Sequence, residues 1–295
     1  MSRTLRRILL AVQFHTIVPV KVKMNNAASE EELAGSVPFF PLAGTFQGIL
    51  VAVSSFVFLN PLGPRVAGGL ALAALIISSG GFDLDGLADT ADALAAKTAA
   101  VPEAARQKKL AIMKEGPTGA VGAAAISASV LLKYLLISHL LEMPAGRTAP
   151  GGKTVVFALL LLMPAFSKWA TVPAMLHGRP ARQDGLGRIF IGRTGPGQAA
   201  LSTVLLAAIW FASFYPAVFL LKTSGLSACA VFLIFLLAFF YALGVAAARF
   251  FEKKWGGLTG DNLGALTELS DILFLLAAAL WLGHMTGHGV AGLFA

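Results

Sequence analysis

Four aspartates, Asp83, Asp85, Asp89 and Asp92, fall within ten positions of GGFDLDGLADTADAL (residues 80–94), directly after the apolar run GGLALAALIIS. Asp85, Asp89 and Asp92 are spaced i, i+4 and i+7, which on a helix of ~3.6 residues per turn puts them on one face. LADTADALAA is good helix-forming sequence, so the three carboxylates are expected to stand in a row where an apolar segment ends. Like charges on one helix face repel, and at a membrane boundary water alone relieves that poorly. Divalent cations would relieve it, and carboxylate oxygens are the ligands preferred by hard Mg²⁺, with Mn²⁺ as the alternative.

A second acidic group occurs far along the chain in GGLTGDNLGALTELSD (residues 256–271), where Asp261 is followed by Glu268 and Asp271. In a helix starting near Asp261 these again fall close to one face, with Glu268 about two turns in. An acid at that depth is costly without a partner and is a candidate for function. Between the groups, LAIMKEGPTGAVG (110–122) supplies Lys114 as a phosphate contact. Its Gly116, Gly119 and Gly122 allow close backbone approach at a helix start that favours anions. GRPARQDGLGRIFIGRTG (178–195) places a Gly-Leu-Gly turn beside Arg182 and Arg188, which suits a phosphate or another polar ligand. Carboxylate-held metal together with such phosphate sites is the equipment of phosphoryl or nucleotidyl transfer. No GxxxxGK[ST], HExxH or CxxC pattern occurs, so P-loop hydrolysis and zinc chemistry lack support. His15, His139, His177, His284 and His288 are scattered and read as packing or interfacial residues; Cys229, the sole cysteine, reads as a small apolar packing residue.

The elements that must position these groups follow from composition. The 295 residues are 57% hydrophobic and 13% charged, and mean hydropathy is +0.76. A soluble protein carries roughly 25% charged residues. The deficit, with several apolar runs of about 20 residues, implies an all-α integral membrane protein forming one polytopic domain over residues 1–295. Seven spans are expected in one bundle, near residues 37–58, 66–82, 119–141, 154–176, 198–221, 226–248 and 263–284. The second is short, and its helix could continue into the aspartates. MSRTLRRILLAVQFHTIVPV reads as a short interfacial helix.

With the N-terminus in the cytoplasm, seventeen Lys and Arg fall in cytoplasmic segments, Lys21 and Lys23 among them. Only Arg65, Arg147, Lys153 and Lys222 fall on the other side. This positive-inside asymmetry accounts for the net charge of +8 without nucleic acid as a partner. Residues 83–118, 177–197 and 249–262 then share the cytoplasmic face, where both acidic groups and the Gly-rich loops converge. A cation-coupled transporter, the alternative class, would need its acids near the bilayer midplane with access from both faces.

The chain resembles the cobalamin synthase family, the adenosylcobinamide-GDP ribazoletransferases of vitamin B12 assembly. The resemblance rests on GGFDLDGLADTADAL, IMKEGPTGAVG and GLTGDNLGALTELS, with FHTIVPV, FFPLAGTFQGIL and ARQDGLGRIF as weaker support, in the family's order over most of the chain. It departs from the family pattern at Asp83, where His is usual, at Glu115 and Gly116, where an Asp-Ser pair is usual, and at Ala93, where Gly is usual. The resemblance implies a Mg²⁺-dependent transfer at the bacterial inner membrane, with the active site facing the cytoplasm. A ribose hydroxyl of α-ribazole, or of its 5′-phosphate, attacks the phosphorus on the aminopropanol arm of adenosylcobinamide-GDP, and GMP leaves. The aspartate row is also similar to that of membrane enzymes that transfer CDP-linked phosphoalcohols. On this reading Asp85, Asp89, Asp92 and Asp261 hold the metal. Asp92 or Glu268 is the base, and Lys114 steadies pyrophosphate charge. Asp83, Arg182, Arg188 and Asn262 join Lys114 in binding substrate. Membrane lipid is a further partner, and a homo-oligomer is left open.

Overall fold

Apolar chain in lipid must satisfy its backbone hydrogen bonds internally, and for runs of this length that means helices. The computed structural model describes residues 2–19, 28–97, 102–115, 117–143, 152–220 and 225–285. Lys21, Lys23, Gly116, Arg147, Lys222 and His288 lie outside them. In chain order the helices are α1 (Arg3–His15), α2 (Glu30–Ala34), α3 (Phe40–Ser79), α4 (Phe82–Ala95), α5 (Pro102–Glu115) and α6 (Ala120–Glu142). They continue with α7 (Gly152–His177), α8 (Gly187–Phe190), α9 (Pro196–Leu220), α10 (Gly225–Trp255) and α11 (Gly260–Met285). A 3-10 turn (Val37–Phe39) precedes α3.

Six of these helices are long and apolar enough to cross a membrane, so this is a multi-pass membrane protein. The count differs from the seven expected because residues 37–58 and 66–82 join without a loop in α3. A straight helix of 40 residues would reach about 60 Å, twice the ~30 Å hydrocarbon core of a bilayer. Instead, Gly63 takes φ 77° and ψ 170° between Pro61 and Pro64, a backbone region open to glycine, and reverses the chain. Two hydrogen bonds show the reversal. Gln47 Nε2 donates to the His15 carbonyl at 3.1 Å, and the Ile17 amide donates to the Ser78 carbonyl at 2.9 Å. Both arms of α3 therefore return to the end of α1. Residues flanking the turn pair at the far side of the bundle, Asn60 with Lys153 and Arg65 with Glu142.

The helix does not continue into the aspartates. Gly80 and Gly81, at φ 67° and 75°, stop α3, and α4 starts afresh at Phe82. At this same end the loop ahead of α8 is fastened to the start of α11. Ala181 donates to the Leu258 carbonyl and Leu258 to the Arg179 carbonyl, both at 2.8 Å. The loops that the charge asymmetry places on one face thus meet there.

At the centre stands α7, 89% buried over its apolar window, packed against α3, α9, α10 and α11. The outer helices leave Phe56, Leu131, Val204 and Ile234 exposed, as side chains facing lipid tails would be. Association in lipid relies on close packing of small residues. In α3, Gly44 and Gly48 provide it: a Cβ at either would collide with the Pro164 or Leu161 carbonyl of α7. Gly48→Leu should therefore cost at least about 2 kcal/mol of stability, read as a lower thermal midpoint in detergent. Gly69→Ala, where the nearest atom to a new Cβ is 3.7 Å away on Tyr134, should leave the midpoint unchanged. Equal losses at both positions would show that the α3–α7 approach is not what holds the bundle.

Candidate active site

The site begins with a crossing that has no room for side chains. A Cβ on Gly86 of α4 would lie 2.7 Å from the Asp261 carbonyl oxygen and 3.0 Å from its Cα. One on Gly264 of α11 would lie 3.2 Å from the Cα and carbonyl oxygen of Asp83. Backbone contact thus carries the acidic row to Asp261, which lies far from it in sequence. Asp83, Asp85 and Asp261 line a cavity of about 680 Å³, within the ~300–1,000 Å³ of small-molecule sites. Its other walls come from α1, α7 and the 182–188 loop with α8.

Each sequence-predicted residue can now be placed. The Asp89 carboxyl is pushed up to about 6, first by burial and then by the charges of Asp85, Asp261 and Asp92, with Arg182 pulling the other way. Asp261 accepts a hydrogen bond from Arg182 Nη2 at 2.9 Å. Asp85, exposed, lies on the cavity wall. Asp83 accepts from Lys168 Nζ at 2.6 Å, with the lysine side chain 2% exposed. Arg188 lines the cavity but is paired with Glu30, which also holds Arg193. Lys114 is paired at 2.9 Å with Asp184, a residue of the cavity wall.

Three of the expected residues have their side chains engaged by other parts of the chain. Asp92 uses its two carboxylate oxygens to accept the amides of Gly119 (2.7 Å) and Gly122 (2.8 Å), capping α6 from α4. The helix start that the sequence offers to a phosphate is taken by this side chain, and a Cβ at either glycine would run into it. Asn262 is fully buried and lies away from the cavity. Its Oδ1 accepts from Trp255 Nε1 and the Thr259 amide, and its Nδ2 donates to Thr90 Oγ1 at 3.0 Å, so it fastens α11 to α10 and α4. Glu268 is 4% exposed and lies about 10 Å along α11 from Asp261. It accepts from Lys133 Nζ at 2.8 Å and from Ser129, while Asp271 accepts from Ser167 and lies 3.5 Å from Lys133. This is an internal ion network, and its carboxylates do not line the cavity.

Sequence reasoning passed over both buried lysines. The topology count omits Lys133 and Lys168 because they fall inside apolar spans, yet an ionisable residue in a span is itself a pointer to an acidic partner. His15, read as packing or interfacial, is in the cavity wall, its imidazole held well below 6.5 by burial and by the Lys168 charge.

Among the described residues, no three His, Cys, Asp or Glu side chains already converge on one metal-sized point. Magnesium usually needs only one or two carboxylates, with substrate phosphates and water completing the shell. Asp89 and Asp261 are an all-oxygen donor pair whose mutual repulsion a hard cation would relieve, so the residues fit such an ion.

Carboxylates from two helices, an arginine and a buried lysine around one cavity make this a site fitted for phosphoryl-group chemistry at one end of a multi-pass helical bundle. The chain belongs to the cobalamin-5-phosphate synthase family, whose sequence profile matches residues 7–279. It is 33% identical over 284 residues to the adenosylcobinamide-GDP ribazoletransferase of Thermodesulfovibrio yellowstonii, covering 95% of this chain and 100% of that one. The protein of the same description from Geotalea daltonii is 33% identical over 275 residues, 92% of this chain and 96% of the relative. That from Escherichia coli O157:H7 is 31% identical over 266 residues, 90% and 96% of the two chains. No solved structure matches the chain.

The network around Glu268 generates a stability test. Removing one partner of a buried ion pair costs about 3–5 kcal/mol, because the remaining charge is left uncompensated. Lys133→Ala, which abandons Glu268 and Asp271 together, should cost stability on that scale, read as a lower thermal midpoint in detergent. Adding Glu268→Gln to Lys133→Met should recover part of the loss. A Lys133→Ala protein as stable as wild type would show that these charges are not coupled.

Proposed function

We propose that the chain joins α-ribazole, or its 5′-phosphate, to the phosphorylated aminopropanol arm of adenosylcobinamide-GDP, with release of GMP, at the cytoplasmic face of a bacterial inner membrane. The observation that supports it most is the meeting of the α4 row with Asp261 beside one cavity. A pyrophosphate carries charge that must be neutralised, and an attacking hydroxyl must lose its proton; the site supplies groups for both. The relatives' descriptions match this chemistry over nearly the whole chain.

The roles follow from what each side chain is free to do. Asp89 and Asp261 would hold Mg²⁺, which when bound supplies charge neutralisation at the pyrophosphate. Arg182, which bonds Asp261 and lines the cavity, supplies positive charge to offset the negative charge that the leaving GMP phosphate gains. The ribose hydroxyl attacks the phosphorus on the aminopropanol oxygen, the bond to the GMP oxygen breaks, and the hydroxyl proton passes to Asp85. Asp85 takes that role because it lies exposed on the wall, while Asp92 is engaged by two amides and Glu268 by Lys133. Lys168 holds Asp83 in place at the cavity floor.

Purified protein in detergent, given adenosylcobinamide-GDP, α-ribazole 5′-phosphate and Mg²⁺, should release GMP, and chelation should stop it. Asp89→Asn should lower kcat/KM by about 100-fold or more, the scale of losing a metal-held charge. Glu142→Gln, at the far side of the bundle, should leave it unchanged. Absence of GMP from the wild type would overturn the reaction, and undiminished turnover after chelation would overturn the metal's part in it.

A further inference from the structure

The cavity has two unlike sides, and the reaction above uses only one. Part of its lining is a wall of rings. Phe14, His15, Phe40 and Phe190 meet with centroids 4.4 to 6.0 Å apart. Phe40 and Phe190 are buried behind, and Phe14 and His15 are half-buried at the cavity surface. Phe82, 64% exposed, stands at the rim on the first turn of α4, next to Asp83. Within this apolar wall one polar atom is unspent: His15 Nε2 is buried and has no hydrogen-bond partner among the described residues. The His15 carbonyl accepts from Gln47, and the ring is packed edge-on against Phe14 and Phe40.

We infer that this wall is the seat of the acceptor's aromatic base, the benzimidazole of α-ribazole lying against Phe14 and Phe82 with the His15 imidazole toward its bare ring nitrogen. The inference rests on the proposed reaction and adds to it which substrate enters the cavity and how its base is chosen. Size argues first. A space of about 680 Å³ holds a nucleotide but not a corrinoid macrocycle together with its GDP arm. The corrinoid substrate therefore approaches from outside, and the acceptor occupies the inside.

The chemistry of the wall separates the two bases that the reaction involves. Guanine carries an amide and an amino group, and each buried donor or acceptor left unmade costs binding. The ring wall offers a single nitrogen. Benzimidazole, once joined to ribose, presents a flat apolar bicycle with one bare nitrogen, which is what such a wall can satisfy. Position agrees as well. Phe82 precedes the acidic row by one to three residues, so a base stacked there leaves its ribose beside Asp85 and Asp261.

Two-substrate kinetics with Phe82→Ala and Phe14→Leu test the assignment. Loss of base stacking typically weakens binding by about tenfold or more. The KM for α-ribazole 5′-phosphate should rise by that factor, while the KM for adenosylcobinamide-GDP stays within about twofold. Because Phe82 is exposed, its variant should keep the wild-type thermal midpoint, which is measured alongside. Equilibrium dialysis of α-ribazole against the detergent-solubilised protein gives a readout without turnover, and both variants should bind it correspondingly less. A rise confined to the corrinoid substrate would put guanine on the wall and overturn the inference, as would equal rises for both substrates or none for either. Wild-type protein that binds α-ribazole through these rings but releases no GMP would sink the reaction and keep the slot. GMP release with undiminished α-ribazole binding by the variants would do the opposite.

Discussion

The backbone crossing of α4 on α11 is the contact from which the site is built. Gly86 lies against the Asp261 backbone and Gly264 against that of Asp83, so neither helix can rotate or withdraw without opening a gap. The closeness has an electrostatic cost: Asp85, Asp89, Asp92 and Asp261 are gathered at one end of a low-polarity bundle. At Asp89, burial first and then the charges of Asp85, Asp261 and Asp92 push the carboxyl up to about 6. Relief comes from elsewhere in the chain. Arg182 arrives on a loop held by the Pro180–Leu258 bridge, and Lys168 arrives on the central helix α7. Asp92 is neutralised in a third way, by the amides at the start of α6.

Charge compensation continues below the cavity. Lys133 on α6 sits between Glu268 and Asp271 on α11, and the serines Ser129 and Ser167 complete the carboxylates' hydrogen bonds from α6 and α7. Buried ion pairs add little net stability over apolar packing, since desolvation offsets attraction. What they do here is fix register, because each charge has one place where its partner stands. The helices so registered are the three that carry the Asp92 cap, Lys168 and Asp261. The inner network therefore acts on chemistry by position, without touching the cavity.

Much of this was legible in the chain. Apolar runs locate most of the spans, and the acidic row marks the helix that meets α11 through Asp83, Gly86 and Thr90. The hairpin of α3 is half legible: the runs 37–58 and 66–82 stand out in the sequence, but not that a single residue with positive φ, Gly63, suffices to turn the chain between them. Side-chain roles were harder to read for a physical reason. A carboxylate beside glycines at a helix start can be a metal ligand or a cap, and the sequence does not show that Asp92 accepts the amides of Gly119 and Gly122. Glu268 was rightly seen as needing a partner. Its partner, Lys133, lay inside a run scored only for hydrophobicity.

The walls of the cavity differ in how firmly they are held, and this bears on how a nucleoside enters. Its inner walls, α4, α7 and α11, meet through glycine contacts and buried charges, which give way only with the bundle. The outer wall is α1, a peripheral helix joined to α2 by Arg3–Glu31 and Arg6–Glu32, while Glu30 of α2 clasps Arg188 and Arg193. Exposed pairs of this kind contribute roughly 0–1 kcal/mol each. α1 is held besides by Leu10 and Ala11, which are buried in the core, and by Gln47 and Ser78, which tie its end to α3 by one hydrogen bond each. The rings Phe14 and His15 stand at that tied end. A nucleoside that came in beside α1 would meet a base-binding surface anchored to the bundle.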